Sequence, residues 1–433
     1  MVSLFGGILA GTLVINSFDI LTTLQSLLEL TYKLLTTPWI LKTFGFMLLM
    51  GAVMRLMERS GGVSGFVHML SSQLEVVKSE RATLVLVYII GIVIFIETSI
   101  TVLIAGAVGR PLCDAHGISR AKLAYVCDST SAPVGSILMF NGYGALMLGL
   151  ITTQMELGYI QGDSVSWLVN AVALNFYAIL ALVVTFIVIW FKIDIGAMKN
   201  AVVKHETGTI ERGSHPLYML VPIGLMIGGV FTFLYITGDG DILKGSGSSS
   251  IFYSMIVTLS LMLLYFSLSS VMSLKTLLQE SFIGMKSMLG VTTILLFAFG
   301  IGQVTNDMHT GMYIASFLDG IEIYGWLAGI VFLLAAVISF STGTSWGTFS
   351  IMVPIAIPVA ATIDANMALV LGAVISGGVF GDHCSPISDT TIITSMATGC
   401  DHIQHVKTQL PYALISGFIA FVLFVMVGTY TLN

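Results

Sequence analysis

Apolar residues dominate this chain in long stretches near 2–17, 39–57, 123–154, 166–191, 216–236, 250–268, 285–303, 367–400 and 411–431. A helix needs about 20 mostly apolar residues to cross the hydrocarbon of a bilayer, so each stretch predicts a membrane-spanning helix. Two further runs, 82–112 and 323–362, are too long for one crossing. Each carries a polar tip in its middle, Glu97–Thr98–Ser99–Ile100–Thr101 and Ser341–Thr342–Gly343–Thr344–Ser345–Trp346–Gly347–Thr348. Polar backbone at that depth is tolerated only when buried in protein or lining water. Both runs therefore predict re-entrant helical hairpins that enter and leave on one side. Segments 18–37, 60–81, 269–284 and 306–322 have apolar residues at helical spacing but are too polar to span, and predict helices lying along the interface.

The strongest interruption is Phe380–Gly381–Asp382–His383–Cys384–Ser385–Pro386–Ile387–Ser388–Asp389–Thr390–Thr391, set directly after the apolar run 368–379. A helix cannot pass undisturbed through Pro386, and charge at bilayer depth is costly unless it faces a cavity or a ligand. Asp128–Ser129–Thr130–Ser131–Ala132–Pro133 interrupts the 123–154 run in the same way. The pattern predicts two discontinuous transmembrane helices, 123–154 and 367–400, whose unwound middles offer carbonyls, hydroxyls and carboxylates.

The two halves resemble each other. Shifted by about 250 residues, Leu24–Glu29 lies over Leu274–Gln279, the tip at Glu97 over Gly347, and the break at Asp128 over Asp382. Five crossings separate equivalent spans, and an odd number inverts the second copy. Inverted repeats with discontinuous helices meeting near the midplane mark secondary transporters. The expected organisation is a first repeat over 1–191, a linker over 192–215 and a second repeat over 216–433. The helix at 216–236 has no counterpart ahead of the first repeat.

Composition agrees with an all-α polytopic membrane protein: 56% of the 433 residues are hydrophobic and 9% charged, against about a quarter charged in soluble domains. Charge placement sets orientation. With the loop 192–215 in the cytoplasm, every Lys and Arg except Lys33, Lys42 and Lys244 falls on that side, as positive-inside bias requires. The expected location is a bacterial plasma membrane. No basic n-region or cleavage site opens the chain. Cys113, Cys127, Cys384 and Cys400 lack metal-site spacing and read as small buried residues.

Inverted, the two tips meet the two breaks at the centre, and Na⁺ at these two junctions suits ligands made of hydroxyls, carbonyls and a carboxylate. The candidate ion- or solute-binding residues are Glu97, Thr98, Ser99 and Thr101 at the first tip, with Asp128, Ser129, Thr130, Ser131 and Asn141 on the first broken helix. The second tip adds Thr342, Gly343, Thr344 and Ser345, and the second break adds Asp382, His383, Ser385, Ser388 and Asp389. Asp382, Glu97 and Asp389 are the proton-carrier candidates, because an intramembrane acid is functional by default. Asp128 serves equally as ligand or helix cap, His383 as proton partner or packing residue. Ser and Thr also bond back to their own helices, and Gly343 permits a tight turn.

Gly381–Ile392 and Gly399–Tyr412, together with Ser341–Thr348 and Leu123–Val134, resemble the NhaC-type Na⁺/H⁺ antiporter family. The resemblance implies the ion transporter superfamily fold, often a homodimer with elevator-like movement, and sodium-site roles for 97–101, 342–345, 128–133 and 382–386. Many relatives carry paired acids at the first tip, where this chain has Ile96–Glu97–Thr98–Ser99. Members of the family have diverged toward malate/lactate exchange and amino acids.

The leading expectation is a Na⁺-coupled exchanger of Na⁺ for H⁺. The alternative is Na⁺- or H⁺-coupled transport of a small organic solute. A channel would need a continuous polar file, and Asp382, His383 and Ser385 side by side do not make a catalytic triad. Neither enzymatic activity, a cofactor beyond the coupling ions, nor a nucleic-acid partner is expected.

Overall fold

A computed structural model describes residues 2–62, 65–66, 69, 79–95, 98–138, 141–201, 214–241, 245–308, 313 and 324–430. Among the described residues the secondary structure is helical, and eight helical spans are long and apolar enough to cross a membrane, one of them the interrupted run Arg120–Glu156. In chain order the helices are α1 (Val2–Ile15), α2 (Ile20–Thr36), α3 (Pro38–Arg59), α4 (Glu80–Val93), α5 (Thr98–Ala115), α6 (Arg120–Ser129), α7 (Ala132–Ile137), α8 (Gly142–Glu156), α9 (Ser164–Ala173) and α10 (Phe176–Phe191). After the linker come α11 (Leu217–Thr237), α12 (Gly247–Leu268), α13 (Leu274–Ser287), α14 (Leu289–Asp307), α15 (Leu327–Thr342), α16 (Ser345–Thr362), α17 (Met367–Cys384), α18 (Asp389–Thr398) and α19 (His402–Tyr430).

The spine is α17, buried along nearly its whole length. Its small residues explain the depth of packing. Gly377 and Gly381 lie on one face, and a Cβ on them would fall 2.3 Å from Phe332 O and 2.1 Å from Ala336 O of α15. Only glycine admits a neighbouring backbone that close. The outer helices differ. Helix α19 leaves Leu414, Ile415, Phe418 and Met426 exposed, and α11 and α12 likewise turn apolar faces outward. Such faces are stable against lipid and unfavourable against water.

Helices α4 and α5 pack against each other as a hairpin, as do α15 and α16. Both ends of the first hairpin sit beside the end of α10. Lys192 donates to Glu80 at the start of α4 (2.5 Å), Lys122 to Asp194 (2.8 Å), and Arg120 to Asp114 in the last turn of α5 (2.8 and 2.5 Å). Helices α10 and α19 are antiparallel: Phe176 packs on Phe424 (4.7 Å) at one end, and Tyr412 Oη bonds Ile193 O and Ile195 N at the other. The base of the second hairpin, at Gly325, packs on Gly428 and Thr429, the far end of that pair. The two hairpin bases thus lie at opposite ends of α10–α19.

Two boundaries depart from the sequence pattern. The span expected over 166–191 is two helices, α9 and α10. Asn175 makes the break: its Oδ1 caps α10 at Ala178 N (3.4 Å) and accepts from Ser376 Oγ (2.8 Å), while its Nδ2 donates to Ser136 Oγ (2.9 Å). Helix α19 starts at His402 rather than 411 and runs through Pro411, because His405, Thr408 and Gln409, on one face of its polar first turns, are buried in protein. Most of the expected interface helices 60–81 and 306–322, and residues 202–213 of the linker, lie outside the described residues. The other two expected interface helices correspond to α2, with Leu21, Leu24, Leu28 and Tyr32 exposed, and to α13.

Candidate functional site

The two breaks are adjacent. Helix α6 stops at Ser129, where Thr130 and Ser131 leave helical geometry before Pro133 opens α7. Helix α17 stops at Cys384, ahead of Pro386. Each therefore ends with an aspartate in its last turn, Asp128 and Asp382, 0% and 2% exposed. The C-terminal end of a helix carries negative partial charge, which repels a carboxylate and attracts a cation. Ser129 Oγ and His383 Nε2 join the two breaks at 3.3 Å.

The second tip closes on Asp382. Gly343 ends α15 at φ +66°, and a Cβ there would meet Ile387 O at 2.6 Å. Thr344 caps α16 through Gly347 N (3.4 Å). Ser345 then donates to Asp382 Oδ2 (3.0 Å), and its oxygen receives the Tyr143 hydroxyl (2.8 Å). Ser388 faces the same carboxylate and pairs with Thr390 (2.9 Å). Asp128 Oδ2 accepts from Gln409 Nε2 (2.8 Å) and Thr391 Oγ1 (3.3 Å), with His405 Nε2 at 3.6 Å. The second oxygen of each carboxylate, Asp128 Oδ1 and Asp382 Oδ1, completes no sound hydrogen bond among the described residues. His383 Nδ1 bonds Tyr177 Oη (2.7 Å).

Other candidates have their hydrogen bonds committed locally. Thr130 bonds back to Val126 O, Ser131 to Asp128 O, and Ser385 to Phe340 O. Asn141 caps α8 and donates to Gly135 O (2.7 Å) and Phe95 O (3.1 Å), tying the first tip to the first broken helix. Thr101 bonds Ile94 O, and Thr98 lies beside Gly135. Glu97 and the side chain of Ser99 lie outside the described residues. Thr342 is exposed and bonded to Ile338 O, and Asp389 is exposed in the first turn of α18, where it accepts from its neighbour Thr390 N. A helix start exposes N–H groups that hold a carboxylate at the rim.

Sequence reasoning missed Gln409, His405, Tyr177 and Tyr143, which complete the surroundings of the two aspartates. The polar residues at helical spacing from His402 to Gln409 were the available signal for the first two. Among the described residues no three His, Cys, Asp or Glu side chains cluster as a tight metal site.

The chain is similar to known proteins over its whole length. An uncharacterized protein of Haemophilus influenzae is 33% identical over 463 aligned positions, covering 99% of this chain and 87% of that one. The malate-2H⁺/Na⁺-lactate antiporter of Bacillus subtilis is 37% identical over 103 residues, 23% of this chain and 22% of that protein. The YdaH transporter of Alcanivorax borkumensis shares the fold at a TM-score of 0.62, with 15% identity and cover of 95% of this chain and 90% of that one. The sequence profile described as the Na⁺/H⁺ antiporter family matches residues 141–429, a span that holds the second tip, the second break and Gln409. This multi-pass membrane protein belongs to the Na⁺/H⁺ antiporter family.

Proposed function

We propose that this protein exchanges Na⁺ for H⁺ by alternating access at the junction of α6, α16, α17 and α19. One observation carries the reading: two buried aspartates at half-helix C-termini, each with an oxygen left without a hydrogen bond. An ionised carboxylate in such a place needs a proton or a cation. The surroundings divide the work. Asp382 faces the hydroxyls of Ser345 and Ser388, hard oxygen donors suited to Na⁺. Asp128 faces an amide and two imidazoles, which suit proton exchange, and takes the proton rather than the cation. The half-helix dipoles add attraction for either positive species.

The architecture fits two inverted repeats, 1–191 and 216–433, joined by a cytoplasmic linker at 192–215. Hairpin bases at opposite ends of α10–α19 support the inversion. Elevator-like movement of the hairpins and broken helices would expose the junction to each side in turn. A second reading, coupled transport of a small carboxylate, is favoured by the likeness to a malate/lactate antiporter.

Reconstituted liposomes with a trapped pH dye test the proposal. A Na⁺ pulse is expected to drive saturable proton movement in the opposite direction, and Asp382→Asn to abolish it. Proton flux that ignores Na⁺ and survives Asp382→Asn would falsify the exchanger. Flux that requires malate or lactate would replace it with the second reading.

A further inference from the structure

We infer that His402, Ser395 and His405 form the proton port of this protein, connecting an open cleft to Asp128; the inference rests on the Na⁺/H⁺ reading. Helices α18 and α19 are joined by a tight turn at Gly399–Asp401, which sets Ser395 against both histidines. Ser395 Oγ lies 3.1 Å from His402 Nδ1 and 3.1 Å from His405 Nδ1. Outward, His402 lines a cleft of about 810 Å³ with Pro386, Ile387, Met396 and Asp401. Inward, His405 Nε2 lies 3.6 Å from Asp128 Oδ2.

Counting protons shows what the three side chains can hold. His402 Nε2 meets Pro386 O (2.7 Å), a pure acceptor, so this nitrogen carries hydrogen. Gln409 Nε2 donates to Asp128 Oδ2 (2.8 Å) and His383 O (2.6 Å), which turns its Oε1 toward His405 Nε2 (2.9 Å). His405 Nε2 therefore also carries hydrogen. A neutral imidazole has one N–H, so both Nδ1 atoms are acceptors. Ser395 has a single hydroxyl hydrogen and three acceptors around it: the two Nδ1 atoms and Thr391 O (2.8 Å). The cluster has places for one more proton than its neutral form contains.

An added proton completes the pattern. Placed on His402 Nδ1, it is donated to Ser395 Oγ, whose own hydrogen points to His405 Nδ1. Transfer along both bonds moves the charge to His405 and leaves the serine neutral. His405 then releases its Nε2 proton to Asp128 Oδ2, 3.6 Å away, and stays neutral with its remaining hydrogen on Nδ1. No electron changes hands and the proton count balances. The charged and titratable groups around the port are Asp128 of α6, His383 of α17, Asp389 of α18, Asp401 in the turn, and Arg110 of α5 beside Gly399.

The test uses the full-length protein in liposomes, with Na⁺-driven proton flux and Na⁺-induced thermal stabilisation measured in parallel. Ser395→Ala and His402→Ala are expected to slow proton flux at least about tenfold while keeping the stabilisation by Na⁺. Added imidazole, entering the cleft, is expected to restore flux in His402→Ala and not in Ser395→Ala. Variant flux within a factor of two of wild type, no effect of imidazole on His402→Ala, or loss of Na⁺ stabilisation together with flux would each overturn the port. A wild-type protein that moves no protons in response to Na⁺ would instead sink the exchanger reading, and the port with it.

Discussion

Gly343→Ala is the substitution whose effect follows most directly from the geometry. The residue sits at φ +66°, where a side chain costs about 1–2 kcal/mol. Its new Cβ would lie 2.6 Å from Ile387 O and 2.8 Å from Ile387 C, both backbone atoms of the second break. No rotamer change relieves that contact. Restoring ordinary van der Waals separation moves the tip away from the break by about 0.8 Å. The Ser345–Asp382 hydrogen bond, 3.0 Å long, spans the same gap and would open beyond bonding distance. A hydrogen bond to a charged group contributes about 1.5–3 kcal/mol. At about 1.4 kcal/mol per factor of ten, Na⁺ affinity should fall about ten- to hundredfold. Gly347→Ala is the control, since its Cβ meets only the Thr344 methyl at 2.9 Å within a helix where alanine is preferred. The assay is the Na⁺ midpoint of thermal stabilisation for wild type and both variants. Equal midpoints for Gly343→Ala and wild type would refute the idea that the tip and break hold the cation between them.

Further outcomes concern the scaffold. Arg120→Met strips Asp114 of a buried bidentate partner and frees Thr398 O (2.8 Å), and should destabilise by about 3–5 kcal/mol, seen as a lower apparent melting temperature. Adding Asp114→Leu should recover part of that loss. Asn175→Leu removes one hydrogen bond each from the buried Ser136 and Ser376 at the α9–α10 break and should cost about 2–4 kcal/mol by the same measurement. Arg55, then Arg59, hold the Glu280 carboxyl below its ordinary value of 4.5. Folded protein thus binds that proton less readily than unfolded protein does, so the stabilisation is complete at neutral pH and fades as pH falls below about 4.5. The melting-temperature gap between wild type and Glu280→Gln should therefore close on acidification, and a gap that widens would contradict it.

Much of the fold was legible because lipid imposes a simple rule on the chain. Every backbone polar group in a span must be satisfied within it, so Pro133, Pro386 and the glycine-flanked tip at Gly343 announce themselves against apolar surroundings. Asp382 and Ser345 stood out for the same reason. Asn175 did not, because one asparagine in an apolar run looks the same whether it breaks a helix or faces a neighbour. The exposed position of Asp389 escaped as well, since spacing alone does not say which side of a short helix meets the rim.

The sequence by itself determined the membrane class, the helical hairpins and the places where two helices are interrupted, since these follow from local hydrophobicity and backbone chemistry. Only the tertiary structure decided that Gln409 bonds Asp128 across 281 positions and that Ser395 stands between His402 and His405. Those pairings depend on how α6, α17, α18 and α19 pack, and helix packing is set by the summed fit of many side chains. No single stretch of the chain encodes it.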